Sequence, residues 1–367
     1  MNLTRFKLFL LIASAILFSN CGPNHSENVE QIVEHKIVKA DERSFEIKKK
    51  VYFNKTDINI EGQVMDLVVV DTFLLAVDLK ANPMVHVIGI NSNKYLGKII
   101  NRGRGPGELL QVSDILDTSE TGLFWVYDIS LGKFMKINVI DALSSGIIEP
   151  ELQFEVGEKV RGAKSPQCIN DSIFASLSYA FDDCRFILFN TKSKIIDKVG
   201  ELPEASKSWP KQNEKAVYSL APTVYNGLLT STDIGSNAKI AVGYLQADRI
   251  EIYQDNTLQK IVRGPGFFEP NPKFVDQGGG FMSATHHQGS IYGHVRIKGT
   301  TKNIYTIYSG SNSWNGDKIT VFDWSGNPKK ILETEHELNC FVPFEKKNQT
   351  LIYTIDLRTG DLVTINI

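Results

Sequence analysis

A strand–turn–strand unit recurring six times beyond residue 45, short alternating strands parted by Gly, Asn, Asp and Ser, and almost no helical periodicity predict an all-β chain. The architecture they predict is a six-bladed β-propeller, closed by an N-terminal strand that completes the last blade.

The unit is an alternating strand, a polar turn, and a second strand holding Lys and branched aliphatics. Its clearest copies are Met84 to Ile100 (MVHVIGINSNKYLGKII), Arg185 to Gly200 (RFILFNTKSKIIDKVG), Arg249 to Val262 (RIEIYQDNTLQKIV) and Lys318 to Leu332 (KITVFDWSGNPKKIL). Weaker relatives begin near Phe134 (KFMKINVI) and Leu362 (DLVTINI). From Val85, Phe134, Phe186, Ile250, Ile319 and Leu362 the successive spacings are 49, 52, 64, 69 and 43 residues, enough each time for a four-stranded blade and its connections. The last copy stops at Ile367, where its second strand should begin. An open ring would expose strand edges. The alternating stretch Ser44 to Phe53 (SFEIKKKVYF) is therefore expected to supply the missing outer strand, with Lys48, Lys49 and Lys50 on a solvated edge.

A second echo supports the period. RGRGPGE at Arg102 to Glu108 is partly repeated as RGPGFFE at Arg263 to Glu269, 159 residues on when Arg104 is aligned with Arg263, or about three blades. Pro followed by Gly suits a type II turn, since proline fixes the first central φ and glycine accepts a positive φ at the next. Each copy reads as a sharp connection between blades. The functional alternative is an anion site built from exposed amides with Arg102, Arg104 or Arg263, although no helix pattern follows as a phosphate loop would require.

Ahead of the repeats, Arg5 and Lys7 precede eleven apolar or small residues, Leu8 to Phe18, and then Ser19, Asn20 and Cys21. A positive start and an apolar run too short to span a bilayer describe an export signal, here residues 1–20. The run ends against a cysteine, which resembles the lipobox of bacterial lipoproteins. That resemblance implies lipidation of Cys21, a polar tether over residues 21–43, and a propeller over 44–367 held to the membrane by its acyl chains. An ordinary secretory signal with an incidental cysteine is the simpler alternative. Cys168 and Cys184 either bridge neighbouring strands or pack as buried thiols. Without a C-x-x-C pair, redox and zinc-ribbon readings have no support.

The lipobox cysteine, the RGRGPGE loop, VGELP at Val199 to Pro203 and VFDWSGNP at Val321 to Pro328 together resemble the TolB-like six-bladed propeller lipoproteins of Bacteroides-type bacteria. The resemblance spans about Phe45 to Ile367. It implies the fold and a place in the cell envelope, at the outer membrane on its periplasmic or surface side, and it brings no catalytic residues.

Chemistry is sparse. With 42% hydrophobic and 22% charged residues and a net charge of −2, the chain lacks the basic excess of a nucleic-acid binder. No metalloprotease, nucleophile-elbow, Walker or calcium-loop motif is present, so no catalytic, cofactor-binding or metal residues are assigned. His286 and His294 could share a metal only if a turn at Gln288 to Ser290 aimed both into the channel. Gly278, Gly279 and Gly280 read as a flexible connection. Trp125, Tyr127 and Trp324, inside strands, read as core. Trp209, Trp314, Phe267 and Phe268 fall in connections, where an aromatic is easier to spare for a ligand. Asp66, Asp71, Asp78, Asp114 and Asp128 are scattered over the first two blades, and nothing in their spacing selects a pair. The expectation is a non-catalytic binding or scaffolding lipoprotein whose partner is an envelope protein, peptide or glycan. The alternative is an enzyme sited in the channel, such as a metal-dependent lactonase or a polysaccharide lyase.

Overall fold

Six small antiparallel sheets, each led by an innermost strand and ended by an outer one, follow one another along the chain. The computed structural model describes residues 36–367 except 119, 179–180, 182, 205–208, 210–213, 233–234, 236–237 and 347–348. The export signal, Cys21 and most of the tether read from the sequence lie outside the described residues.

Blade one runs β4 (Val64–Val70), β5 (Phe73–Asp78), β6 (Val85–Gly89) and β7 (Lys94–Ile99). Blade two is β8 (Asp114–Asp117) to β11 (Leu152–Glu155), and blade three is β12 (Lys164–Asn170) to β15 (Ile195–Val199). Blade four is β16 (Gly227–Ser231) to β19 (Thr257–Arg263), and blade five is β22 (Tyr292–Gly299) to β25 (Pro328–Leu338). Blade six has β26 (Phe341–Lys346), β27 (Gln349–Ile355) and β28 (Asp361–Asn366). The six repeat anchors, Val85, Phe134, Phe186, Ile250, Ile319 and Leu362, all fall on the third strand of a blade. That strand is flanked on both sides within its sheet, so it carries the most regular apolar alternation.

The closing strand differs from expectation. The outer place in blade six is taken by β3 (Asn54–Asn59), antiparallel to β28 with Asp361 opposite Asn59 and Thr364 opposite Asn54. Part of the Ser44 to Phe53 stretch, β2 (Ile47–Lys50), instead pairs in parallel with β25 as a fifth strand of blade five. The physical reason is which faces are covered. All four residues of β2 are exposed, as suits an added edge strand. Asn54–Asn59 buries only Ile58 and half-buries Thr56, so its alternation is masked by polar residues. Thr56 donates to the Leu362 carbonyl at 2.6 Å, and the Asn59 amide donates to Asp361 at 2.8 Å.

The N-terminal stretch thus forms a belt. β1 (Ile37–Lys39) lies beside β19 on blade four, then β2 on blade five, then β3 on blade six. Its buried side chains enter the seams between blades. Ala40 and Phe45 join the core between blades four and five, where Phe45 meets Phe322 edge-on at 5.4 Å. Val51 joins the core between five and six, and Ile58 and Ile60 the core between six and one. Val38 to Ala40, read from the sequence as tether, are part of this belt.

The remaining seams are covered locally. The short helix Val139–Ser145, unannounced by any helical period, drops Val139 and Ala142 into the core between blades one and two. Between blades two and three, Trp125, Phe134, Phe174 and Phe189 form a dense aromatic stack that also takes in Cys168 and Cys184, both buried thiols with no disulfide between them. Between three and four lie Val217, Val224, Trp209 and residues of a hairpin, β20 (Pro272–Gly278) with β21 (Phe281–His286). Gly278, Gly279 and Gly280, all at positive φ, make the tip of that hairpin.

Candidate functional site

The innermost strands β4, β8, β12, β16, β22 and β26 stand around a central channel whose cavity measures about 780 Å³, within the usual size of a ligand site. Hydroxyls of Ser165, Thr230 and Ser231 line it beside Val68, Leu229 and Val342, and Phe344 is its one aromatic among the described residues.

Charge is concentrated at a few points. Lys298 on blade five reaches both carboxylate oxygens of Asp66 on blade one, at 2.9 and 3.0 Å, and so spans blade six. Asp114, on blade two, faces the same space and accepts no hydrogen bond from a described residue. Burial, reinforced by the nearby Asp66 carboxylate, pushes the Asp114 carboxyl up to about 8. Burial likewise pulls the Lys164 ammonium down to about 8, although it donates to the Asn226 side chain at 2.6 Å. Arg296, on blade five, donates at 2.7 Å to the neighbouring Val295 carbonyl and forms no ion pair among the described residues. Glu345 accepts from the hydroxyls of Thr300 and Tyr305.

Local irregularity places several of these groups. The ladder slips between Val64 and Asp66 on β4, between Lys164 and Gln167 on β12, and between His294 and Arg296 on β22. A β-bulge re-aims a side chain and breaks the two-residue period. That is why Asp66, Lys164 and Arg296 gave no signal as a set. A charged residue inside an otherwise apolar alternating strand is the one mark that could have singled them out.

The residues read from the sequence as a possible ligand loop do not meet at one place. Arg102 donates to the carbonyls of Leu110 (2.7 Å) and Leu79 (2.9 Å), which ties the connection to blade one. Arg104 is exposed, and Arg263 pairs with Glu269. The loop amides are also claimed. Asp128 accepts from Leu110 and Gln111 at 2.7 and 3.1 Å, and Asp248 accepts from Gly266 and from Phe267, the latter at 2.7 Å. With carboxylates already seated on those amides, neither loop offers an anion cradle. In the first loop the Glu108 amide donates to the Gly105 carbonyl at 3.1 Å and Gly107 has φ +71°, the turn expected of Pro106–Gly107. In the second, the Gly264–Pro265 bond is cis, Gly264 has φ +122°, and the positive φ after the proline falls on Phe267 rather than Gly266.

Trp209 is buried against Tyr225 and Phe274, so it is core. Trp314 is 51% exposed and packs against Tyr292 at 4.4 Å, away from the channel lining. Phe267 is exposed and Phe268 half-buried. Trp125, Tyr127 and Trp324 are buried between blades. His286 lies exposed on the hairpin, whereas His294 is buried beside Thr306 (3.0 Å) and Asp248 (3.5 Å), so the two do not converge. Of the scattered aspartates, Asp78 and Asp128 hold backbone amides, and Asp66 and Asp114 reach the channel. Among the described residues no three His, Cys, Asp or Glu side chains are grouped so as to hold a metal ion.

A model of TolB-like six-blade propellers matches residues 43–346. The chain belongs to the TolB-like propeller family. A protein of Bacteroides fragilis described as a candidate exported protein shares its fold at a TM-score of 0.51 and 12% identity, over 90% of this chain and 98% of that one. Virginiamycin B lyase of Staphylococcus aureus aligns at 0.44 and 14% identity, over 86% and 99% of the two chains. Hydrazine synthase of Kuenenia stuttgartiensis aligns at 0.46 and 8%, over 85% and 98%. No curated protein matches the sequence. In this TolB-like chain no helix among the described residues is long and apolar enough to cross a membrane.

Proposed function

We propose that this TolB-like propeller is a non-catalytic binding module of the cell envelope, with the central channel as its ligand site. The observation that carries the reading is the channel itself: an open cavity of about 780 Å³, lined by all six blades, with acids on blades one, two and six and cations on blade five among hydroxyl-bearing walls. Such a lining suits capture of a polar ligand better than a divalent-ion cage, which needs converging oxygen donors of one sign. The exported character ascribed to the Bacteroides fragilis protein of the same fold supports export here. The lipobox-like end of the leader supports anchoring through Cys21, with the outer membrane as the surface and an envelope protein, peptide or glycan as partner. Incorporation of labelled palmitate, lost in Cys21→Ser, tests the anchor.

One observation favours a second reading, a channel-sited hydrolase or lyase. Burial pushes the Asp114 carboxyl on the lining up to about 8 and pulls the nearby Lys164 ammonium down to about 8, a range in which a general acid or base is effective. Thermal shift over a panel of amino acids, short peptides, sugars and lactones, with product analysis by NMR, separates the two. Saturable binding without turnover supports the module, and turnover that falls in Asp114→Asn overturns it.

A further inference from the structure

Among the charged groups of the channel, most are answered by the protein. Asp66 is neutralised by Lys298, and Glu345 is held by two hydroxyls. Asp114 and Arg296 are not. Among the described residues the carboxyl of Asp114 accepts no hydrogen bond, and the guanidinium of Arg296 spends one donor on the adjacent backbone and meets no carboxylate. These groups of opposite sign line one cavity from blades two and five, three positions apart in a ring of six and so on facing walls. They are separated by the channel and left for something within it.

We propose that the channel binds a small zwitterion, a free amino acid or short peptide, with its ammonium on Asp114 and its carboxylate on Arg296. This deepens the reading of the channel as the ligand site and rests on it. A guanidinium presents paired donors that match a carboxylate, and an ionised carboxyl opposite an ammonium forms a charge-assisted hydrogen bond. The walls agree. Sugar recognition relies on aromatic faces, whereas among the described residues this lining has Phe344 alone. Ser165 and Thr230 accept from the backbone amides of Leu229 and Gly299, which leaves the Ser231 hydroxyl on the lining to meet an amide group of a peptide. Proton release gives an independent readout. Burial, with Asp66 on the neighbouring blade raising it and Lys298 and Lys164 lowering it, pushes the Asp114 carboxyl up to about 8. An ammonium seated on it at neutral pH therefore displaces a proton.

The test is calorimetric titration of the full protein with triglycine, N-acetyl-triglycine, triglycinamide and maltose at pH 7, in two buffers of different ionisation enthalpy. Triglycine is expected to bind with release of a proton, and blocking either end should weaken binding roughly tenfold, the worth of one charge-assisted contact. Asp114→Asn should abolish the proton release and the penalty for N-acetylation. Arg296→Gln should abolish the penalty for the C-terminal amide. Equal affinity for free and blocked peptides, or no peptide binding up to about 10 mM, overturns the proposal. Binding of maltose alone also overturns it while leaving the binding-module reading intact. Because the blocked peptides are compared on the unaltered protein, the test survives a variant that fails to fold.

Discussion

The two halves of the ring solve the same packing problem in different ways. Between blades one and four, each seam is filled by strands already in register and by insertions close in sequence, such as the helix Val139–Ser145 or the aromatic stack around Phe134. Between blades four and one, the seams take side chains from a belt far away in sequence: Phe45 meets Phe322, Val51 joins the core that holds Leu332, and Ile58 joins the core that holds Leu362. Seams of the first kind can form as each blade is made. Those of the second require long-range closure, which costs more chain entropy before any contact is gained. The belt itself is unequal. β3 is a true fourth strand, whereas β1 and β2 are additions to blades that already have four.

Truncation sharpens that inequality most. A chain starting at residue 54 should keep a cooperative melt at a lower temperature, whereas one starting at residue 61 should lose it, because blade six then presents an unpaired β28 and the pockets of Ile58 and Ile60 are empty. Circular dichroism melts of the two chains would show it, and equal melts would mean that β3 is no more integral than β2.

Next in size are single deletions in the two kinds of seam. Phe134→Ala, in the fully buried stack, should cost about 3–5 kcal/mol in denaturant unfolding. Phe45→Ala should cost about 2 kcal/mol, below the usual range for a buried phenylalanine, because the belt can peel from a ring that stays closed. Limited proteolysis should then cut near residues 41–53 before the ring unfolds. Equal costs without early cleavage would break the distinction.

A smaller effect is expected at the repeated loops. Arg102→Ala removes two hydrogen bonds from a charged donor, worth about 1.5–3 kcal/mol, and Arg104→Ala should stay within about 0.5 kcal/mol. Neither should alter ligand affinity. A large binding defect in either would restore the loop as a site.

The smallest effect concerns the channel. An acid whose folded value lies above its ordinary 3.8 stabilises the fold fully below that value, and the contribution is lost as pH rises through about 8. Asp114→Asn should therefore melt increasingly above the wild type as pH rises from 4 to 8 and level off beyond, by on the order of 1 kcal/mol given the screening of channel water. A difference independent of pH would show that Asp114 is not the titrating group.

The third strands were legible because each is flanked within its sheet and repeats the same alternation, and the count of six followed from them. The closing strand was misplaced by one segment. Ile47–Lys50 has the alternating look of a strand and is one, but Asn54–Asn59, with Ile58 as its single buried apolar residue, does the closing. The site was less legible still. Arg102 and Arg263 stood out for their motif and proved to hold loops, while Asp66, Lys164 and Arg296 sat at bulges that hide them from a two-residue period.

By itself, then, the order of residues determined the family, the blade number and which strand of each blade carries the pattern, because those depend on local alternation and turn chemistry. Only the tertiary structure decided which segment closes the ring and which charges face each other across its centre. Both depend on groups from different blades, separated by hundreds of residues, and pairing across such distances leaves no period in the chain.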